Sequence, residues 1–186
     1  QEKITQTLVA AAKRGQRVVR LKCGDPGVFG RSTEETDALN ASGIPFEIVP
    51  GVTAACAAAA SIGQSLTDRG NIDTLVLTTG HRHDGYAVPD PIKDIRPGTC
   101  VALYMAVGAA PQIVEQLETR HPGVPFDVQI VAKAQRKGQI AVHCPLTELA
   151  TTLTANKIVG EAMLFVRWSR SIPQTSVIPL LQSETA

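Results

Sequence analysis

The chain has 186 residues, 44% of them apolar and 19% charged, with a formal net charge of +1; that is length enough to bury one large core or two small ones. Aromatic residues make up only 4% and Lys and Arg are scattered, which excludes the basic, aromatic-interleaved stripe of a nucleic-acid binder. No apolar run approaches the roughly 20 residues of a membrane helix, and no secretory leader is present, although a chain that begins inside a protein could not show one. A cytoplasmic protein with no nucleic-acid or membrane partner is expected.

Residues 4–14 have helical spacing through Ile4, Leu8, Ala11 and Ala12, with Gly15 as the stop. Residues 18–21 read as a short strand running into a loop of turn residues, Cys23, Gly24, Asp25, Pro26 and Gly27. Ser32 with Glu35 three positions on is a capping-box signature for the next helix, which stops at Gly43. A second strand over 46–49 is closed by Pro50 and Gly51, and Thr53 can cap an alanine-rich helix that ends at Gly63. Strand and helix alternate, which predicts a parallel sheet with covering helices.

The polar, aperiodic stretch 64–73 marks a domain boundary and places 1–70 in one domain and 71–186 in another. The second domain begins with a strand over 74–79 and a long loop over 80–98 carrying three prolines. A strand over 99–105 follows, then a helix with Pro111 at its first position running to about Arg120. Strands over 128–132 and 139–144 can pair across Gln135, Arg136, Lys137 and Gly138, so this second sheet is expected to be mixed. A helix over 146–153 and a strand over 162–168 complete it. The fold class is therefore α/β, with a parallel first sheet and a mixed second sheet.

A doubly wound sheet normally opens with its ligand-binding first strand and turn. This chain opens inside a helix, so the first sheet is expected to be incomplete and a further N-terminal segment to precede residue 1. Cys23, Cys56, Cys100 and Cys144 form no CxxC pair and read as reduced, mostly buried thiols. His81 with His83, and His143 beside Cys144, make an incomplete ligand set with no zinc spacing, so no metal is expected.

The strand ending in residues 23–27 puts backbone polar groups at the carboxyl edge of a sheet, where open α/β folds bind ligands. Gly24 lets the main chain approach a ligand and Asp25 adds an anionic acceptor. That suits a cationic or polyol ligand better than a phosphate. A tight strand-to-helix turn with a structural Asp fits the same residues, and spacing alone leaves both readings open.

Several blocks in order add a resemblance. LKCGDP at 21–26, VFGR at 28–31 and Glu34 with Glu35, then GIPFEIVPGVTAA at 43–55, are similar to successive blocks of the tetrapyrrole methylase family. LTDRG at 66–70, TGH at 79–81 before DG at 84–85, and Tyr104 with Met105 continue the match, which is dense from 17 to 85 and thins after 130. The resemblance implies two αβα domains, a homodimer, and S-adenosylmethionine as methyl donor in the cleft between the domains, with no metal. It implies donor contacts at Cys23, Gly24, Asp25, Val28, Thr53, Ala54, Met105 and Ala134. The implied acceptor is a tetrapyrrole, and Phe29 to Arg31 with Glu34 and Glu35 sides with members that methylate uroporphyrinogen III to precorrin-2, on the route to siroheme and cobalamin.

Departures from the family pattern accompany the match. Cys23 stands where a glycine is usual, Asp68 where a histidine is common, and Ala134 and Arg167 where glycines are usual. The family's N-terminal glycine-rich loop and its acid and base have no counterpart, so no catalytic proton-transfer residue is assigned, and the chain alone is expected to be inactive. Arg31, Arg69 and Arg82 sit on loops that could meet the acceptor's carboxylates. Other readings are a sibling methylase of the corrin pathway, which Gly27 favours, and a non-catalytic donor-binding or dimerisation module. A nucleotide-binding α/β protein is disfavoured by the lack of a Walker-type loop.

Overall fold

The structure, a computed structural model, describes residues 1–82, 85–86, 92 and 95–170. These form two compact units, Gln1–Ala54 and the described residues from Ala55 onward. The division falls ahead of the expected boundary near residue 70.

In the first unit, helices α1 (Glu2–Lys13) and α2 (Ser32–Ala41) pack on each other. Glu2 in the first turn and Lys13 in the last complement the α1 dipole, and α1 stops short of Gly15 as its spacing predicts. The two expected strands are not formed. Residues 17–22 and 44–50 form no helix or strand, and no backbone hydrogen bond joins one segment to the other. A segment becomes a strand only when a neighbour completes its ladder, and sequence pattern reports the tendency without the partner. The parallel first sheet is corrected accordingly: among the described residues this unit holds none.

The capping box is also corrected. Arg31 takes the left-handed conformation at φ 54° as N-cap of α2, with no side-chain cap bond, so Ser32 is already helical. Glu35 faces inward instead, at 6% exposure. Helix α3 (Ala54–Ser61) buries Ala55, Ala58 and Ala59, the i, i+3, i+4 stripe of one helical face, and ends ahead of Gly63.

The second unit is built on a five-stranded sheet of β1 (Thr74–Thr79), β4 (Thr99–Tyr104), β5 (Asp127–Ala132), β6 (Ile140–Pro145) and β7 (Ala162–Trp168), in the order β1-β4-β7-β5-β6. β1 and β4 are parallel, and every other neighbouring pair is antiparallel, so the sheet is mixed as expected. The loop after β1 contains a short hairpin of β2 (His81–Arg82) and β3 (Gly85–Tyr86); His83 and most of the remaining loop lie outside the described residues.

Helices α4 (Ala110–Arg120) and α5 (Leu149–Ala155), each entered through a 3-10 turn, supply Ile113, Leu117, Leu149 and Leu153 to the core. They share it with Val101, Leu103, Val128, Ile130, Leu164 and Val166, which alternate along their strands onto one face. Burying each such side chain contributes about 1.5–3 kcal/mol. All six residues of β4 are buried, so this strand is covered on both faces.

Candidate functional site

Asp25 organises the candidate region of the first unit. Its Oδ1 accepts the Gly27 N–H at 2.8 Å and its Oδ2 accepts the Gly51 N–H at 2.9 Å. The carboxylate therefore joins the 23–27 loop to the 51–54 segment. A Cβ at Gly51 would lie 2.3 Å from the Gly24 carbonyl oxygen, so the two backbones touch where only glycine fits. Gly24 in turn faces the backbone of Val52, Thr53 and Ala54. The structure thus brings Gly24, Asp25, Thr53 and Ala54 together. Cys23 and Ala54 are exposed beside them, and Val28 and Thr53 are half-buried.

The loop is preceded by an ion cluster around the buried Glu35, which sequence reasoning misassigned to helix capping. Lys22 Nζ lies 2.7 Å from Glu35 Oε2, Arg20 Nε lies 3.1 Å from Oε1, and Gln1 Nε2 donates to Oε1 at 2.8 Å. Burial alone pushes the Glu35 carboxyl up. The hydrogen bonds from Lys22, Gln1 and Arg20 and the Lys22 charge outweigh it and bring the group from 4.5 down to about 2. A glutamate three residues after a serine signals a capping box; a lysine and an arginine on the preceding segment were the clue to the alternative.

Arg31 forms a forked pair with Glu34, at 2.8 and 2.9 Å, beside an open groove lined by Gln1, Glu2, Thr5, Gln6, Arg31 and Glu34. Both Phe29 and Arg31 have φ above 50°, flanking Gly30.

A separate candidate region lies on the second unit's sheet. β1, β4 and β5 run in one direction, so their carboxyl ends share an edge carrying Gly80, Met105 and residues 133–135. Met105 is 54% exposed, unusual for a large apolar side chain, and takes φ 50°. Lys133 and Gln135 also take positive φ and flank Ala134. Five of the six non-glycine residues with positive φ among the described residues thus lie in the 29–31 loop or on this edge. Such conformations cost about 1–3 kcal/mol each and gather at functional loops. A Cβ at Gly80 would lie 2.7 Å from that of Ala106, so the edge is also tightly packed.

Arg69 is not part of this edge. Its hairpin, closed by the Asp68–Ile72 bridge, leads directly into the amino end of β1, and Arg167 near the end of β7 donates to the Ser65 carbonyl at 2.6 Å. Six-residue strands separate that edge from Met105 by about 20 Å. Arg82 follows the carboxyl end of β1, but its side chain is outside the described residues. Cys23 and Cys56 are exposed rather than buried, whereas Cys100 and Cys144 are buried and burial raises both thiols. No group of three or more metal-ligating side chains occurs among the described residues, and none of the described helices is long and apolar enough to cross a membrane.

A mixed α/β sheet with a glycine-dependent loop and a strained carboxyl edge defines the class, and comparison defines the family. Residues 1–150 match the tetrapyrrole (corrin/porphyrin) methylases, and the chain belongs to that methyltransferase family. It is 39% identical over 169 residues to a siroheme synthase of Gluconacetobacter diazotrophicus, covering 89% of this chain and 36% of that protein. A siroheme synthase of Pseudomonas paraeruginosa is 48% identical over 118 residues, 63% of this chain and 25% of that one. The chain thus spans about a third or less of these relatives. Among solved structures it resembles a uroporphyrin-III C-methyltransferase from Thermus thermophilus, with TM-score 0.76 and 34% identity over 89% of this chain and 70% of the other. A Thermus thermophilus structure of the same enzyme complexed with S-adenyl homocysteine has TM-score 0.75 and 30% identity, covering 90% and 73%. A cobalt precorrin-4 methyltransferase has TM-score 0.79 and 26% identity, covering 90% and 70%.

Proposed function

We propose that the protein containing this chain transfers methyl groups from S-adenosylmethionine to ring carbons of uroporphyrinogen III, twice in turn, giving precorrin-2. The observation that carries the reading is the Asp25 junction. It presents Gly24, Thr53 and Ala54 together in a chain 30% identical to a methyltransferase bound to the demethylated donor. Donor contacts are assigned to Cys23, Gly24, Asp25, Val28, Thr53 and Ala54 of the first unit and to Met105 and Ala134 of the second. In the whole enzyme, residues 1–70 belong to the N-terminal domain and 71–186 to the C-terminal domain, and the enzyme works as a cytoplasmic homodimer.

The nucleophilic ring carbon attacks the donor methyl carbon, the carbon–sulfur bond breaks with its electron pair staying on sulfur as a neutral thioether, and the methylated ring system releases one proton. Because the sulfonium is already activated, the protein's part is alignment, and proximity and orientation can supply on the order of 7–11 kcal/mol. Carbonyl and carboxylate oxygens on the 23–27 loop favour a cationic donor over its neutral product. Acceptor carboxylates are assigned to Arg31, Arg69 and Arg82.

Cobalt precorrin-4 is the second reading, favoured by the TM-score of 0.79. The siroheme synthase relatives, at up to 48% identity, favour uroporphyrinogen III. Full-length enzyme incubated with donor and either tetrapyrrole separates them by product mass. Methylation of uroporphyrinogen III alone supports the first reading, and methylation of cobalt precorrin-4 alone replaces it with the second. Failure to bind S-adenosylhomocysteine by titration calorimetry sinks both and leaves a non-catalytic module.

A further inference from the structure

Tyr104, the last residue of β4, stands at a junction that the donor contacts do not include. Its side chain is buried at 8% exposure, and its hydroxyl oxygen accepts the Ala55 N–H at 3.3 Å across 49 positions of sequence. Ala55 is the second residue of α3, fully buried, and its N–H belongs to the first turn, where a helix offers its own backbone no acceptor. A buried N–H of this kind needs an external partner, and the tyrosine provides it.

The backbone of Tyr104 is fixed as well. Its carbonyl accepts the Gly80 N–H at 2.8 Å, and Gly80 is pressed against Ala106 so closely that a Cβ there would come within 2.6 Å of the Ala106 Cα. Between these two anchors the chain turns through Met105 at φ 50°. The strained turn and the α3 first turn therefore share one fastening, a hydroxyl on one side of Met105 and a packed glycine on the other.

α3 has a second tether at its exit. Arg167 Nη2 donates to the Ser65 carbonyl at 2.6 Å, and Arg170 Nη2 lies 2.7 Å from Asp73 Oδ2 across Gly98, where any Cβ would strike the guanidinium. These bonds hold the 65–73 segment at the opposite edge of the sheet. They anchor the fold without touching the α3 first turn, so they provide an internal comparison for Tyr104.

We propose that Tyr104 is a positioning residue for donor binding: its hydroxyl registers the first turn of α3, which begins at Ala54, against the strained Met105 turn. The inference rests on the donor assignment to Ala54 and Met105, but the fastening itself is observed independently of any ligand. Removing the hydroxyl leaves ring packing intact, orphans the Ala55 N–H, and lets the two donor-contacting turns drift from register.

The test is Tyr104→Phe in the full-length protein, with Arg167→Met beside it. Three measurements are made on each: amide hydrogen exchange, S-adenosylhomocysteine Kd, and the separate KM values for donor and tetrapyrrole. For Tyr104→Phe, exchange should accelerate at Ala55 and its helical neighbours, with donor Kd and donor KM rising about tenfold and tetrapyrrole KM unchanged. Arg167→Met should accelerate exchange at residues 65–72 and lower the melting temperature, with donor Kd unchanged. Unchanged exchange at Ala55 overturns the inference, as does faster exchange with unaltered donor Kd. If both variants weaken donor binding equally, Tyr104 acts only through general stability and the inference also fails. If the parent protein binds no donor, the functional reading itself falls, and that outcome is seen before either variant is compared.

Discussion

Asp25 has an observed structural role, and the proposed donor contact would draw on the acceptor capacity that this role leaves. A carboxylate has about four lone-pair positions; two N–H bonds, from Gly27 and Gly51, leave room for a further donor without freeing the side chain from its structural work. Asp25→Ala should therefore weaken donor binding and also lower stability, by about 1–3 kcal/mol for the orphaned N–H groups. Asp25→Asn cannot keep both bonds, because its Nδ2 meets an N–H with another donor, so it should behave more like alanine than its shape suggests. Calorimetric donor Kd and melting temperature on the same samples check this, and parent-like values for Asn would contradict it. Glu35 gives a pH-dependent counterpart. Its folded pKa of about 2 lies below its ordinary 4.5, so its stabilisation is full above about pH 4.5 and fades as pH falls toward 2. The difference is on the order of 3 kcal/mol. Urea melts between pH 6 and 2.5 should show this loss in the parent and a flatter, lower profile in Glu35→Gln, which leaves the nearly buried Lys22 without a charged partner.

At the scale of elements, the sequence pattern was most legible where periodicity and burial agree. Pro111, read as the first helical position, places α4 to within a residue, and β1 and β7 fall on their predicted bounds. The first unit was less legible because its signals were real but assigned to the wrong partners. Val18, Val19, Phe46 and Ile48 are strand-forming residues, yet no strand forms there, because a strand needs a neighbour that local pattern cannot name. Ser32 and Glu35 have capping-box spacing, but the left-handed Arg31 starts the helix early and Lys22 claims the glutamate. Of the candidate site, the loop pattern points to Gly24 and Asp25 and the resemblance to Thr53 and Ala54, while the tie between 25 and 51 is a contact across 26 positions that no local signal carries. That tie yields a prediction for the loop pair. Gly51→Ala places a Cβ 2.3 Å from the Gly24 carbonyl oxygen, and because the obstacle is backbone the two loops must part. Overpacking of this kind costs about 1–3 kcal/mol, and donor Kd by calorimetry should rise several-fold; an unchanged Kd would show that the close approach is incidental to binding.

Across the whole molecule the scaffold and the site are supported by different residues, which makes their contributions separable. The core of the second unit is an aliphatic interleaving of β4, β5 and β7 with α4 and α5, and Leu164 sits in it at 0% exposure, paired in register with Leu103 on one side and Ile130 on the other. None of these side chains belongs to the Asp25 junction or to the Met105 edge. Leu164→Ala removes buried methyl groups from a strand covered on both flanks, where collapse around the void is restrained by two neighbouring strands, so a loss of about 2–5 kcal/mol is expected. Donor binding should still raise the melting temperature of this variant. A ligand that binds only the folded state adds about 2.7 kcal/mol at a concentration 100 times its Kd, whatever the starting stability. The expected result is a variant that melts earlier without ligand, gains the same ligand-induced stabilisation as the parent once unfolding enthalpies are used to convert temperatures, and shows an unchanged donor Kd at temperatures where it is folded. Asp25→Ala should differ in kind, with the ligand-induced gain itself reduced. If Leu164→Ala instead loses donor affinity in proportion to stability, the sheet core and the donor site form one cooperative unit, and the separation of scaffold from site argued from their residues does not hold.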